Sequence, residues 1–94
     1  MEIIFNGEEI SSEKDFYDSL LKQVPEFGQY FGFNLDAFND YIGLLEGKKI
    51  IWNNSMLSRV RLGDFFLEII KLIDENNKIN KDLGGNYIIN LELL

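Results

Sequence analysis

Short apolar runs alternate with longer stretches of helical periodicity along this 94-residue chain. The runs Ile3-Ile4-Phe5, Ile50-Ile51-Trp52 and Tyr87-Ile88-Ile89-Asn90-Leu91 are bounded by turn residues, which is typical of strands. Between them, apolar residues recur every three to four positions, as on one face of an amphipathic helix. The pattern therefore predicts an inner first strand and places the three strands near residues 2–6, 49–53 and 86–91.

Two helices are predicted between the first and second strands. Ser12-Glu13-Lys14-Asp15 resembles a capping box, and the helix that it opens must end before Pro25 because proline disfavours the helical conformation of the preceding residue. Asn34 is placed to cap a second helix, whose end is indicated by Gly47.

Two further helices are predicted after the second strand. Asn53-Asn54-Ser55 offers cap residues for a short helix through Leu62, and Asp64 is placed to cap the next one. The last helix has the most regular apolar stripe, formed by Phe65, Phe66, Ile69, Ile70 and Ile73. We expect this helix to fray at Asn76-Asn77 and residues 78–86 to form a polar connection.

The predicted order of elements is β-α-α-β-α-α-β. Helical crossovers between strands imply a parallel sheet with right-handed connections. We therefore predict one α/β domain over residues 1–94, with a three-stranded parallel sheet covered by about four helices. Trp52 lies in an apolar strand and is assigned to the core.

Composition excludes several kinds of chemistry. The chain has no cysteine and no histidine, which excludes disulfides, thiolate or imidazole zinc sites and histidine-assisted nucleophiles. No cofactor is expected. The chain has no basic leader, and no stretch approaches the roughly 18 apolar residues of a membrane span. We expect a cytoplasmic protein that does not bind membranes.

The charge is uneven along the chain. Residues 1–47 contain ten acidic and two basic side chains, a net charge of −8, whereas residues 48–94 have a net charge of +1. An acidic surface repels nucleic acid and favours a basic partner. Lys48-Lys49 and Arg59-x-Arg61 lack interleaved surface aromatics, so we expect no nucleic-acid binding.

Much of this negative charge lies near one short predicted helix. At about 100° per residue, one face of the helix carries Leu35, Phe38, Tyr41, Ile42 and Leu45. The opposite face carries Asp36, Asn39, Asp40 and Gly43. Two carboxylates at i and i+4 repel each other, a cost that an oppositely charged partner would remove.

These residues resemble a known family. The run Tyr30-Phe31-Gly32-x-Asn34-Leu35-Asp36-Ala37-x-x-Asp40 is similar to the signature of barstar, an intracellular inhibitor of a secreted bacterial ribonuclease, and the order of elements agrees over nearly the whole chain. The resemblance implies a barstar-like fold, no enzymatic activity, and a loop and helix that plug the active site of a basic ribonuclease. We expect a monomer when free, and partner contacts by Tyr30, Phe31, Asn34, Asp36, Asn39, Asp40 and Gly43.

The chain also departs from the family pattern. Asn39 stands where barstar has tryptophan, and Gly43-Leu44-Leu45 stands where barstar has threonine, glycine and a second tryptophan. The last helix has Leu72, with Asp74 and Glu75 nearby, where barstar has a contacting glutamate. An immunity protein against a different toxin is therefore an alternative.

A metal enzyme is a third hypothesis, with Asp36 and Asp40 as ligands. It has less support, because two carboxylates without a nearby histidine leave a divalent cation mostly to water. We therefore predict no metal site.

Overall fold

Three parallel strands and four α-helices form the fold of the described residues, in the predicted order. The computed structural model describes residues 1–28, 32–85 and 87–94. The strands are β1 (Glu2–Asn6), β2 (Lys49–Asn53) and β3 (Asn90–Leu93), and the helices are α1 (Glu13–Gln23), α2 (Leu35–Tyr41), α3 (Ser55–Leu62) and α4 (Asp64–Asp82). Short 3₁₀ turns follow α1 and α2, at Pro25–Phe27 and Ile42–Leu45. The predicted α/β class with a three-stranded parallel sheet is confirmed.

The sheet has β2 at its centre, with β1 and β3 paired to it in parallel. The prediction that the first strand is an inner element is wrong, because β1 forms an edge. Although residues 3–5 are all apolar, burial alternates along the strand: Ile3 is fully buried, whereas Ile4 is 48% exposed. A strand covered on one face needs only every second residue to be apolar, so Ile4 was not evidence of burial.

The free edge of β1 is covered by a side chain of α1. The Ile4 N–H donates to Gln23 Oε1 at 2.7 Å, and Gln23 Nε2 donates to the Ile4 carbonyl at 2.8 Å. This carboxamide occupies the position that a peptide group of a neighbouring strand would take. Since unpaired strand edges invite the addition of other strands, Gln23 both protects this edge and fixes α1 beside it.

Aromatic rings form much of the core on the inner face of the sheet. Trp52 is fully buried, as predicted. Its ring stacks on Phe16, with centroids 5.6 Å apart, and lies 4.9 Å from the Phe5 ring. Trp52 Nε1 donates to Ser58 Oγ at 2.8 Å, so two buried polar atoms satisfy each other.

Helix α4 extends beyond its predicted end. It continues to Asp82 without fraying at Asn76-Asn77, and it takes up part of the predicted connection at 78–86. The Asn77 side chain accepts the Ile89 N–H and donates to the Ile89 carbonyl, both at 2.8 Å. Asparagine has low helix propensity, but such tertiary hydrogen bonds compensate for it. No α-helix in the described part of the chain combines the length and apolar content of a membrane span.

Some of the other helix and strand boundaries agree with the caps predicted from the sequence, and others do not. Ser12 Oγ accepts the Asp15 N–H at 3.2 Å, which confirms the predicted cap of α1. Asp64 is the first residue of α4 rather than its cap, because Gly63 takes the cap position at φ 57°. Strand β3 begins at Asn90, later than predicted, since the preceding Ile89 backbone is bonded to the Asn77 side chain rather than paired in the sheet. The apolar stripe of α4 faces the core as expected: Phe65, Phe66, Ile69 and Ile73 are buried and Ile70 is partly buried.

Candidate partner-binding site

Asn34 begins α2 as predicted. Its backbone is extended, at φ −152° and ψ 168°, and its Oδ1 accepts the Ala37 N–H at 2.8 Å. Gly32 leaves room for this side chain, because a Cβ on Gly32 would lie 3.1 Å from Asn34 Nδ2. Asn34 therefore has a structural role in the free protein, and its contact with a partner stays a prediction.

One face of α2 and of the following 3₁₀ turn anchors this segment in the core. Phe38, Ile42 and Leu45 are buried, and the Phe38 ring meets Phe16 edge-on, with centroids 5.9 Å apart. Tyr41 was expected on this face but is 48% exposed. It lies about 60° around the helix from Phe38, at the border of the apolar stripe, so only part of its ring reaches the core.

The opposite face carries Asp36, Asn39, Asp40 and Gly43, here called the acidic stripe, and all four residues are exposed as expected. Ion pairs in the described ranges join Lys14 to Asp18 and Lys49 to Glu92. Asp36 and Asp40 belong to neither pair. The stripe thus presents two carboxylates that no described cation neutralises.

The flanking lysines do not neutralise the stripe either. Between Lys22 and Lys48 the sequence contains no basic residue. Lys48 Nζ donates to the Leu44 carbonyl at 2.6 Å, which directs its charge to the end of the 3₁₀ turn. The absence of lysine and arginine from this whole segment leaves α2 strongly negative.

A second acidic region lies in a groove of about 510 Å³ between β1 and α1, where Asp15 and Asp18 already accept hydrogen bonds from neighbouring side chains or backbone. Hydrogen bonding from the Ser11 backbone N–H lowers the pKa of Asp15 from its ordinary value. Asp18 accepts from Lys14 Nζ at 2.7 Å, and this contact raises the pKa of the lysine. A cationic partner would therefore gain less binding energy from these two carboxylates than from those of the acidic stripe.

Exposed aromatic rings flank α2. The predicted contact residues Tyr30 and Phe31 lie outside the described residues. Phe33 is 44% exposed, and its ring lies 5.5 Å from that of Tyr17, whose pKa burial raises to about 12. Neither Phe33 nor Tyr41 was predicted from the sequence to contact a partner. Their positions, immediately before the helix cap and at the border of the apolar stripe, were the signals that could have identified them.

Gly43 has open space around it. A Cβ there would meet only Glu46 Oε1, at 3.8 Å, an ordinary contact distance. The backbone at Gly43 also lies outside the positive-φ region that favours glycine. The fold itself therefore does not require glycine at this position.

Metal binding gains no support from the described residues. Within residues 1–28, 32–85 and 87–94, no three acidic side chains are placed to hold a metal ion. Asp36 and Asp40 thus have no third carboxylate to complete a site there.

The fold and the acidic stripe define a small α/β protein that displays a short, core-anchored acidic helix. The family model described as Barstar (barnase inhibitor) matches residues 1–92. The chain therefore belongs to the barstar family, a family of inhibitors, as its sequence indicated. Comparison with curated proteins gives no match.

Proposed function

We propose that this protein inhibits a basic ribonuclease by covering its active site with the acidic stripe and the loop before α2. Membership of the barnase inhibitor family supports this function. The observation that carries the proposal is that Asp36 and Asp40 are exposed on one face of an anchored helix. Neither carboxylate forms an ion pair with a basic side chain of the described residues. A ribonuclease must hold phosphates with cationic side chains, and carboxylates can take the place of these phosphates through charge-assisted hydrogen bonds.

The anchoring of α2 favours tight association. Phe38 and Leu45 are almost completely buried, so the backbone that carries the carboxylates is held before the partner arrives. Binding then orders fewer groups, and less of the interaction energy is lost to conformational entropy.

The other residues of the surface would contribute packing and close approach. Tyr30 and Phe31 would supply apolar area at low entropy cost, with the half-exposed rings of Phe33 and Tyr41 extending it. At Gly43 the open space would let the partner backbone come close. The inhibitor would act in the cytoplasm as a monomer that forms a one-to-one complex.

Charge should also accelerate the encounter. The net charge of −8 over residues 1–47 attracts a basic surface over a distance limited by salt, about 8 Å at physiological ionic strength. Association should therefore be faster at low salt than at high salt.

A related toxin is the second candidate target. Asn39 is exposed where the family pattern has a tryptophan, and Leu45 is fully buried in the segment where the second tryptophan stands. This surface therefore lacks two large aromatic contacts. Such a change favours an immunity protein whose partner differs from barnase in the matching pockets.

The test uses barnase as the probe and compares Asp40→Ala with Asp36→Ala, Gly43→Ala and the distant control Glu13→Ala. We expect Asp40→Ala to weaken binding most, by about 2–5 kcal/mol, because it leaves a cation of the partner buried and unpaired. This range for the loss of one partner of a buried charge pair includes values from the complex of barnase with barstar, so it is not independent of the family. Calorimetry and inhibition of ribonuclease activity measure the loss of affinity. Stopped-flow mixing measures how the association rate depends on salt, and thermal melts confirm that each variant is folded.

Two results would contradict the proposal. If Asp40→Ala binds as tightly as Glu13→Ala, the inhibitory surface is not α2. If the wild-type protein leaves barnase fully active, barnase is not its target, and the same variants should be tested on a basic toxin encoded beside this protein.

A further inference from the structure

The end of the α2 segment is joined to α4 by one carboxylate. Glu46 follows the 3₁₀ turn at Ile42–Leu45, and its Oε1 accepts hydrogen bonds from two asparagines of α4. The donors are Asn80 Nδ2 at 2.9 Å and Asn76 Nδ2 at 3.3 Å. All three side chains are partly buried. Asn76 and Asn80 lie one turn apart on α4, so both can reach the same oxygen.

Two hydrogen bonds, one from the backbone and one from a side chain, hold the chain close to Glu46. The Gly47 N–H donates to the Ile88 carbonyl at 2.9 Å, and Lys48 Nζ bonds the Leu44 carbonyl. A Cβ at Gly47 would lie 3.2 Å from the Tyr87 ring, and the residue has φ 79°. The chain is therefore closely fitted where it leaves the 3₁₀ turn, and Glu46 joins this end to α4.

Helix α2 needs such support. It has seven residues, and helices this short are not stable by themselves in water. Hydrophobic anchors such as Phe38 fix which face of α2 is buried, but apolar contacts are non-directional and set the exact orientation of the helix less closely than hydrogen bonds do. A pair of hydrogen bonds at one end resists rotation, because hydrogen bonds weaken as their angle departs from the preferred range.

Helix propensity does not explain the asparagines at positions 76 and 80, because asparagine favours the helical conformation only weakly. Alanine, glutamate or lysine at positions 76 and 80 would favour the helical conformation more than asparagine does. Their carboxamide groups, by contrast, are donors of the right length to bind Glu46 across the helix interface. The sequence at these positions thus fits a tertiary contact better than it fits an exposed helix.

We propose that Asn76 and Asn80 act through Glu46 as positioning residues that fix the orientation of the acidic stripe. The inference rests on the proposed function for its effect on binding. Its structural part, that this hydrogen-bonded clamp of Glu46, Asn76 and Asn80 restrains α2 and the 3₁₀ turn, applies to the free protein.

The first experiment measures hydrogen exchange in the free protein. Asn80→Ala and the double variant Asn76→Ala/Asn80→Ala are compared with Gln23→Ala, which removes a similar carboxamide contact at the β1 edge. We expect amides of residues 38–46 to exchange roughly three- to tenfold faster in the Asn80 variants, the range for one hydrogen bond, and no faster in Gln23→Ala. Equal protection of residues 38–46 in all variants would overturn the inference.

The second experiment separates the geometry of Glu46 from its charge. Glu46→Gln keeps an oxygen that accepts from both asparagines, whereas Glu46→Ala removes it. We expect Glu46→Ala and Asn80→Ala to dissociate from barnase roughly three- to tenfold faster, and Glu46→Gln to retain binding close to that of the wild type. If Glu46→Gln is as weak as Glu46→Ala, Glu46 acts through its charge on the partner and the positioning role is wrong.

These outcomes are distinguishable from failure of the proposed function. If Asp40→Ala weakens barnase binding while Asn80→Ala does not, inhibition by α2 stands and the positioning role fails. If no variant affects binding because barnase is not bound at all, the proposed target fails, and hydrogen exchange still decides whether the clamp restrains α2.

Discussion

The buried hydrogen bond between Trp52 and Ser58 allows a quantitative test of the core. Ser58 is fully buried, and its Oγ accepts from Trp52 Nε1 at 2.8 Å. The variant Ser58→Ala removes the acceptor and leaves the indole N–H in an apolar environment. We expect the free energy of unfolding to fall by about 1–3 kcal/mol, the cost of an unsatisfied buried donor.

A double-mutant cycle separates this hydrogen bond from lost packing. In Trp52→Phe the donor is already absent, so adding Ser58→Ala should then cost at least about 1 kcal/mol less than it does in the wild type. Urea denaturation followed by circular dichroism measures all four proteins without relying on the tryptophan. In a domain of this size each kcal/mol also shifts the melting temperature by about 4–8 °C. An equal cost of Ser58→Ala in both backgrounds would refute the assigned hydrogen bond.

Two further predictions concern stability. A Cβ on Gly7 would clash with the Asn54 carbonyl oxygen, so Gly7→Ala should lower the free energy of unfolding by about 1–3 kcal/mol. Gly43→Ala has open space around its Cβ and should not lower it. Equal urea midpoints for the two variants would reject this steric argument. Burial raises the pKa of Tyr17 from 10.0 to about 12. Since the folded state favours the neutral phenol, its contribution to stability is complete below pH 10 and is lost as the pH rises towards 12. Urea midpoints measured across this range should fall in the wild type and fall less in Tyr17→Phe, and equal slopes would contradict the assignment.

Local signals made much of the fold predictable. The caps at Ser12 and Asn34 and the break at Pro25 act within about four residues, so they can be recognised in the sequence. Strands β1 and β2 follow from short apolar runs with turn residues at their ends. The exposed positions of Asp36 and Asp40 follow in the same way from helical periodicity.

The errors have a different origin, because they depend on contacts between distant parts of the chain. Asn80 was predicted to lie in a polar connection, yet it lies in α4 and its side chain binds Glu46, 34 positions away. Asn77 likewise bonds the backbone of Ile89 across 12 positions. Periodicity cannot identify such partners. The edge position of β1 was missed for a similar reason, since the order of strands in a sheet is a property of the whole fold.

The electrostatics of α2 predict that Asp40 contributes more than Asp36 to the affinity for the proposed partner. Asp36 lies in the first turn, where the positive end of the helix dipole stabilises a carboxylate. Asp40 lies one residue before the end of α2, where the dipole offers no such stabilisation, and it is repelled by Asp36 one turn away. In the free protein Asp40 is therefore the less compensated of the two charges. A cation of the proposed partner would relieve more unfavourable electrostatic energy at Asp40 than at Asp36, so Asp40→Ala should cause the larger loss of affinity.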